Sequence, residues 1–128
     1  MPTKQIVHAE GAPKPIGPYS PGVLAGQYVF TSGQAGVDPA TGKLVEGGIE
    51  AQTRQTLSNI AAILQGAGSS LANVLKTTVF LASMDDFQAM NRVYAEFFGQ
   101  NPPARTTVQA ARLPMGALVE IEAIALKE

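Results

Sequence analysis

At 128 residues, with 9 Lys plus Arg, 10 Asp plus Glu and a net charge of −1, the chain carries no charge block that would steer it to nucleic acid or an anionic membrane. Zero Cys excludes a disulfide scaffold and a thiol nucleophile, and a single His leaves any metal site to carboxylates alone, which form no cluster in the sequence. Only 15% of residues are charged while 45% are hydrophobic, so part of the outer surface is expected to be apolar and to meet another subunit.

The length suits one domain over 1–128, burying roughly two thirds of the surface its unfolded chain exposes. No hydrophobic signal core opens it and no run nears the eighteen or so apolar residues of a membrane span, so a cytoplasmic protein without membrane contact is expected. Gln5-Ile6-Val7-His8 predicts a short strand, and the Pro-rich run from Ala12 to Pro21 predicts a fixed, extended loop. Val23-Leu24-Ala25 and Tyr28-Val29-Phe30-Thr31-Ser32 flank Gly26-Gln27 as a hairpin, and Asp38-Pro39-Ala40-Thr41-Gly42 is a turn. Over about 49–67, Ile49, Thr53, Leu57, Ile60 and Leu64 recur at helical spacing, with Glu50 and Arg54 as an exposed i,i+4 pair and Gly66 and Gly68 closing the helix.

Val74-Leu75-Lys76-Thr77-Thr78-Val79-Phe80-Leu81 predicts a strand rich in β-branched residues. Ser83, with Asp86 three residues on, resembles a capping box for a second helix that buries Phe87, Met90, Tyr94 and Phe97 and ends at Gly99. Strands over 106–111 and 118–126 follow, separated by Leu113-Pro114-Met115-Gly116. Strands, helix, strand, helix, strands predict an α+β fold, a mixed sheet with both helices packed on one face. No third helix remains to cover the other face, so a further copy of the chain is expected there.

One guanidinium and two carboxylates stand on strand-like apolar segments, in Pro103-Ala104-Arg105 and Val119-Glu120-Ile121-Glu122-Ala123-Ile124. Such groups are seldom buried without a partner or ligand, and a guanidinium fork matches a carboxylate bidentately. A nearby Glu can steer a water, so the pair suggests a site for a small carboxylic acid. The alternative is a structural ion-pair network. A hairpin about 112–117 would set Arg105 opposite residue 124 and Glu120 opposite residue 109, roughly 13 Å apart along the strands, which disfavours a direct pair. Glu120 and Glu122 share a face, and spacing does not choose between them.

Other chemistries find less support. There is no GxGxxG after a strand and no GxxxxGK[ST] loop. A Ser-His-Asp set would have to use His8 in the N-terminal strand, and Lys76, a conceivable Schiff-base nucleophile, reads more simply as a solvated edge residue. Tyr19, in Gly17-Pro18-Tyr19-Ser20-Pro21, is either a ring packed over a sheet edge or a hydroxyl held beside a ligand. Ser32-Gly33 is either an ordinary turn or a hydroxyl next to an approachable backbone N–H.

Taken in order, Ile16-Gly17-Pro18-Tyr19-Ser20, Thr31-Ser32-Gly33-Gln34, Lys76-Thr77-Thr78-Val79-Phe80, Pro103-Ala104-Arg105 and Arg112-Leu113-Pro114 with Val119-Glu120-Ile121-Glu122-Ala123-Ile124-Ala125 resemble the RidA (YjgF) family of reactive-intermediate deaminases. The resemblance runs from about 16 to 126. It implies a chorismate-mutase-like fold assembled as a homotrimer with a cleft at each subunit interface, and hydrolysis of 2-imino acids such as 2-iminobutanoate and 2-iminopropanoate to 2-oxo acids and ammonia without metal or organic cofactor. By position it implies that Arg105 clamps the substrate carboxylate and that Glu120, rather than Glu122, orients the water. Tyr19 and Ser32 would line the cleft beside the Gly33 backbone. Position 107 is Thr where many relatives carry Cys, which excludes thiol chemistry and leaves backbone contacts from Thr107 to the ligand. The alternatives are a non-catalytic binder of small 2-oxo or 2-imino acids and an endoribonuclease, the latter disfavoured by the net charge and the lack of a basic stripe.

Overall fold

The computed structural model describes residues 3–128. Among these residues seven strands form one mixed sheet: β1 (Gln5–Val7), β2 (Gly22–Ala25), β3 (Tyr28–Thr31), β4 (Gln34–Ala35), β5 (Val74–Leu81), β6 (Ala104–Gln109) and β7 (Val119–Leu126). Their spatial order is β1-β2-β3-β7-β5-β6, with β4 also paired to β7. Helices α1 (Gly48–Gly66) and α2 (Phe87–Phe98) cover one face of it.

Strand alternation decides which face each side chain takes. On β5 Thr77, Val79 and Leu81 are buried toward the helices, and on β7 Val119, Ile121, Ala123 and Ala125 are too. Leu57, Ile60, Ile63 and Leu64 from α1 and Met90 and Tyr94 from α2 complete the core between the layers. The opposite face carries Ile6, Tyr28 and Phe30 exposed, with Phe80, Ile124 and Leu126 partly exposed, so among the described residues an apolar sheet face lies without cover.

α1 closes as a Schellman motif: Gly68 is left-handed at φ +78, Ser69 N donates to Leu64 O at 2.8 Å, and Gly68 N donates to Gln65 O at 3.1 Å. Ser83 accepts from Asp85 N at 3.1 Å, so it caps the short 3-10 turn Met84–Asp86, and α2 proper begins one turn later than a direct cap would place it.

Three local expectations are corrected. The last two strands are not a hairpin. β5 lies between them, parallel to β6 and antiparallel to β7, because α2 carries the chain over the sheet before β6 is laid down. Lys76 consequently stands on an interior strand, where its Nζ donates to Thr106 Oγ1 at 2.9 Å. Glu50 and Arg54 do not pair with each other. Arg54 reaches Glu96 and Arg92 reaches Glu50, each at 3.2 Å, since the two helices run parallel and bring opposite charges abreast.

Candidate active site

The Pro-rich loop, the segment after β3 and the start of β7 converge on one cleft of 740 Å³. Tyr19, Ser32, Gly33 and Glu120 all line it, so four of the residues singled out by sequence meet there. Much of the remaining wall is apolar, with Ala12, Pro13, Ile16, Pro114 and Met115 among its contributors.

Each polar group in the cleft is held by its own local bonds. The Tyr19 ring folds back toward Gly17, and its hydroxyl accepts from Ile16 N at 3.2 Å, which leaves its hydrogen for a ligand. Ser32 Oγ donates to Ser20 O at 2.5 Å and Ser32 N donates to Pro21 O at 2.9 Å, so the serine pins the Pro-rich loop to β3. Its hydroxyl therefore presents lone pairs, rather than its hydrogen, to anything in the cleft. Gly33 lies flat against Glu120. A β-carbon there would overlap the Glu120 carboxylate oxygen and stand 2.9 Å from its Cδ. Burial, with a smaller contribution from the neighbouring Glu122 carboxylate, raises the pKa of Glu120 above the ordinary value. Glu122 itself is exposed and forms part of a shallow depression with Phe30, Lys76 and Thr78, away from this cleft.

The scaffold beneath comes from α1. Asn59, fully buried, donates through Nδ2 to the carbonyls of Ala35 at 3.1 Å and Val37 at 2.9 Å. Gln52 Oε1 accepts from Leu118 N at 2.9 Å, just before β7. Gly36 lies so close to the Gln52 backbone that a Cβ would sit 2.7 Å from its Cα. These contacts fix β4 and the head of β7, and with them Gln34 and Glu120.

Arg105 and Thr107 are not in the cleft. Arg105 pairs in register with Thr77 and through it with Ala123, three residues from Glu120 along β7. An odd separation puts the two side chains on opposite faces, and their Cα atoms are roughly 14 Å apart from strand spacing and rise. The intrachain ion-pair reading is thereby excluded. The guanidinium lies instead on the helix side, 4.7 Å from the Tyr94 ring centroid and 5.6 Å from that of Phe87. It has no carboxylate partner among the described residues. β6 is an edge strand, so Arg105 and Thr107 stand at the rim of the sheet where another chain can reach them.

Sequence reasoning missed Gln34 and Met115 as cleft residues, and Tyr94 and Phe87 as the support for Arg105. Met115 adopts φ +63, unusual for a side chain with a Cβ, and no sequence pattern signals that. Among the described residues no group of three or more His, Asp or Glu gathers to hold a metal, and no helix is long and apolar enough to cross a membrane.

This fold, with its cleft at the junction of the Pro-rich loop and β7, places the chain in a known class. The Endoribonuclease L-PSP family model matches residues 9–127, and the chain belongs to that family, the YjgF or RidA family. A RutC family protein of Pyrococcus horikoshii is 55% identical over 98% of this chain and 99% of its own length. The human 2-iminobutanoate/2-iminopropanoate deaminase is 44% identical over 97% of this chain and 90% of its own. The crystal structure of E. coli TdcF with bound serine superposes with a TM-score of 0.92 at 42% identity, covering 97% of this chain and 99% of that one.

Proposed function

We propose that this protein hydrolyses small 2-imino acids, with 2-iminobutanoate and 2-iminopropanoate as representative substrates, to 2-oxo acids and ammonia, using neither metal nor organic cofactor. The observation that carries the reading is Glu120, a carboxylate of raised pKa held against Gly33 at the foot of a largely apolar cleft. The deaminase name of the human relative and the serine bound to TdcF support a small ligand bearing a carboxylate.

The chemistry needs no covalent nucleophile, because a protonated imine carbon is already electrophilic. Glu120 accepts a proton as its water adds to that carbon, giving a carbinolamine. Glu120 returns that proton to the amine and then takes the hydroxyl proton as the C=O forms and the C–N bond breaks; the 2-oxo acid and ammonia leave, and the proton on Glu120 passes to solvent. The rest of the task is positioning. Arg105 supplies the fork for the substrate carboxylate, with the Thr107 backbone beside it; Tyr19 offers its hydroxyl hydrogen, and Ser32 and the Gly33 backbone shape the wall.

A single chain keeps Arg105 and Glu120 on opposite sheet faces, so the site requires a second copy. The contact would join two different patches, the β6 edge of one protomer and the cleft of the next. Heterologous contacts form a ring when the rotation between copies closes, and the assembly proposed is such a ring, a homotrimer with a site at each interface and its apolar sheet faces turned inward. The test is to generate 2-iminobutanoate in situ from an amino acid and follow its decay. Decay should accelerate with protein and not with the Arg105→Ala variant. Tight 2-oxo acid binding with no acceleration would instead favour the regulatory-binder reading.

A further inference from the structure

We propose that Tyr94, tied to Thr77, is the positioning residue that sets the plane of the Arg105 guanidinium for carboxylate binding, an inference that rests on the reading of Arg105 as the substrate clamp. Arg105 has a long, rotatable stem and no carboxylate partner among the described residues, so its orientation must come from elsewhere. The structure offers two aromatic rings on the same side, Tyr94 at 4.7 Å and Phe87 at 5.6 Å from the guanidinium carbon. A guanidinium stacked on a ring keeps the N–H groups along its edge free, and those are the groups a carboxylate takes bidentately.

Tyr94 differs from Phe87 in being locked. Its ring is almost fully buried, lies 4.6 Å from that of Phe98, and its hydroxyl shares a 2.7 Å hydrogen bond with Thr77 Oγ1. Thr77 is the residue directly beside Arg105 in the β5–β6 register. The bond thus fixes the ring from α2 to the same point of the sheet from which the arginine side chain departs. Strand, ring and guanidinium form a closed loop, and the ring cannot tilt without breaking a buried bond. Burial also pushes the Tyr94 phenol above its ordinary pKa, against the opposing effects of Thr77 and Arg105, so the hydroxyl remains protonated and the bond intact at neutral pH.

The test is the affinity for 2-oxobutanoate by calorimetry, with thermal unfolding alongside, for wild type, Arg105→Ala, Tyr94→Leu, Tyr94→Phe and Thr77→Val. Tyr94→Leu removes the ring and should weaken binding about tenfold per folded protein, within the range of a desolvated cation–π contact. Tyr94→Phe restores the ring face but not its tether to Thr77, so it should recover only part of that loss and bind as Thr77→Val does. Thr77→Val frees the ring to tilt and should weaken binding about threefold, which keeps the inference open to refutation should Tyr94→Leu not fold. For the in situ imine, the loss should fall on KM rather than kcat. Wild-type affinity in folded Tyr94→Leu or Thr77→Val, with Arg105→Ala binding poorly, overturns the positioning role alone. Wild-type affinity in Arg105→Ala overturns the clamp itself.

Discussion

Gly33 has no side chain because Glu120 occupies the place where one would go. Its φ is not among the positive values, so the backbone accommodates alanine and any penalty arises from the contact alone. Gly33→Ala should therefore displace the carboxylate and lower imine turnover by about a hundredfold, the usual cost of misplacing a catalytic group by an ångström or so, while the affinity for 2-oxobutanoate falls less. Initial rates and calorimetry on the same preparation check this. Glu120 also predicts a pH signature. Its folded-state pKa lies above the ordinary value, so its stability contribution is fully present below that value and is lost as pH rises through the raised one. Glu120→Gln should accordingly raise Tm relative to wild type at pH 7 and make no such difference at pH 3, although turnover collapses in the variant. A Tm difference independent of pH would contradict the assigned burial.

The elements were largely legible because their signals are local. β5 carries its own β-branched run, α1 its heptad-like face and its terminal glycines, and both are found within a residue or two of where spacing puts them. The pairing of those elements was not legible. Placing β6 beside β5 instead of β7 depends on the crossover through α2, and the same crossover reverses which face Arg105 takes relative to Glu120. Short-range pattern likewise assigned Glu50 to Arg54, where parallel helices assign Glu50 to Arg92. Of the candidate site, the residues gathered by one loop and two adjoining strands were recoverable as motifs. Met115 and the aromatic support of Arg105 were not, because they follow from backbone strain and packing between layers. The same layer packing predicts that Asn59→Leu, which removes the donor to the Ala35 and Val37 carbonyls in and just after β4, costs about 1–3 kcal/mol in urea unfolding. Arg54→Ala, at an exposed ion pair, should change stability by no more than about 0.5 kcal/mol.

At the scale of the whole molecule, the proposed assembly of several copies would account both for the uncovered apolar sheet face and for the separation of Arg105 from Glu120. Ile124 lies on that face, paired with Phe30 and Lys76 on the flanking strands. If the proposed assembly holds, Ile124→Asp should yield a smaller species in sedimentation equilibrium and lose turnover together with assembly, since the proposed site draws Arg105 and Glu120 from different copies. The most direct measurement mixes two inactive variants. Arg105→Ala retains Glu120, and Glu120→Ala retains Arg105; each is expected to be inactive alone. After co-refolding at equal amounts, about a quarter of the interfaces should pair an intact arginine with an intact glutamate, and imine hydrolysis should return to about that fraction of the wild-type rate. No recovery in verified mixed oligomers would contradict a site shared between copies.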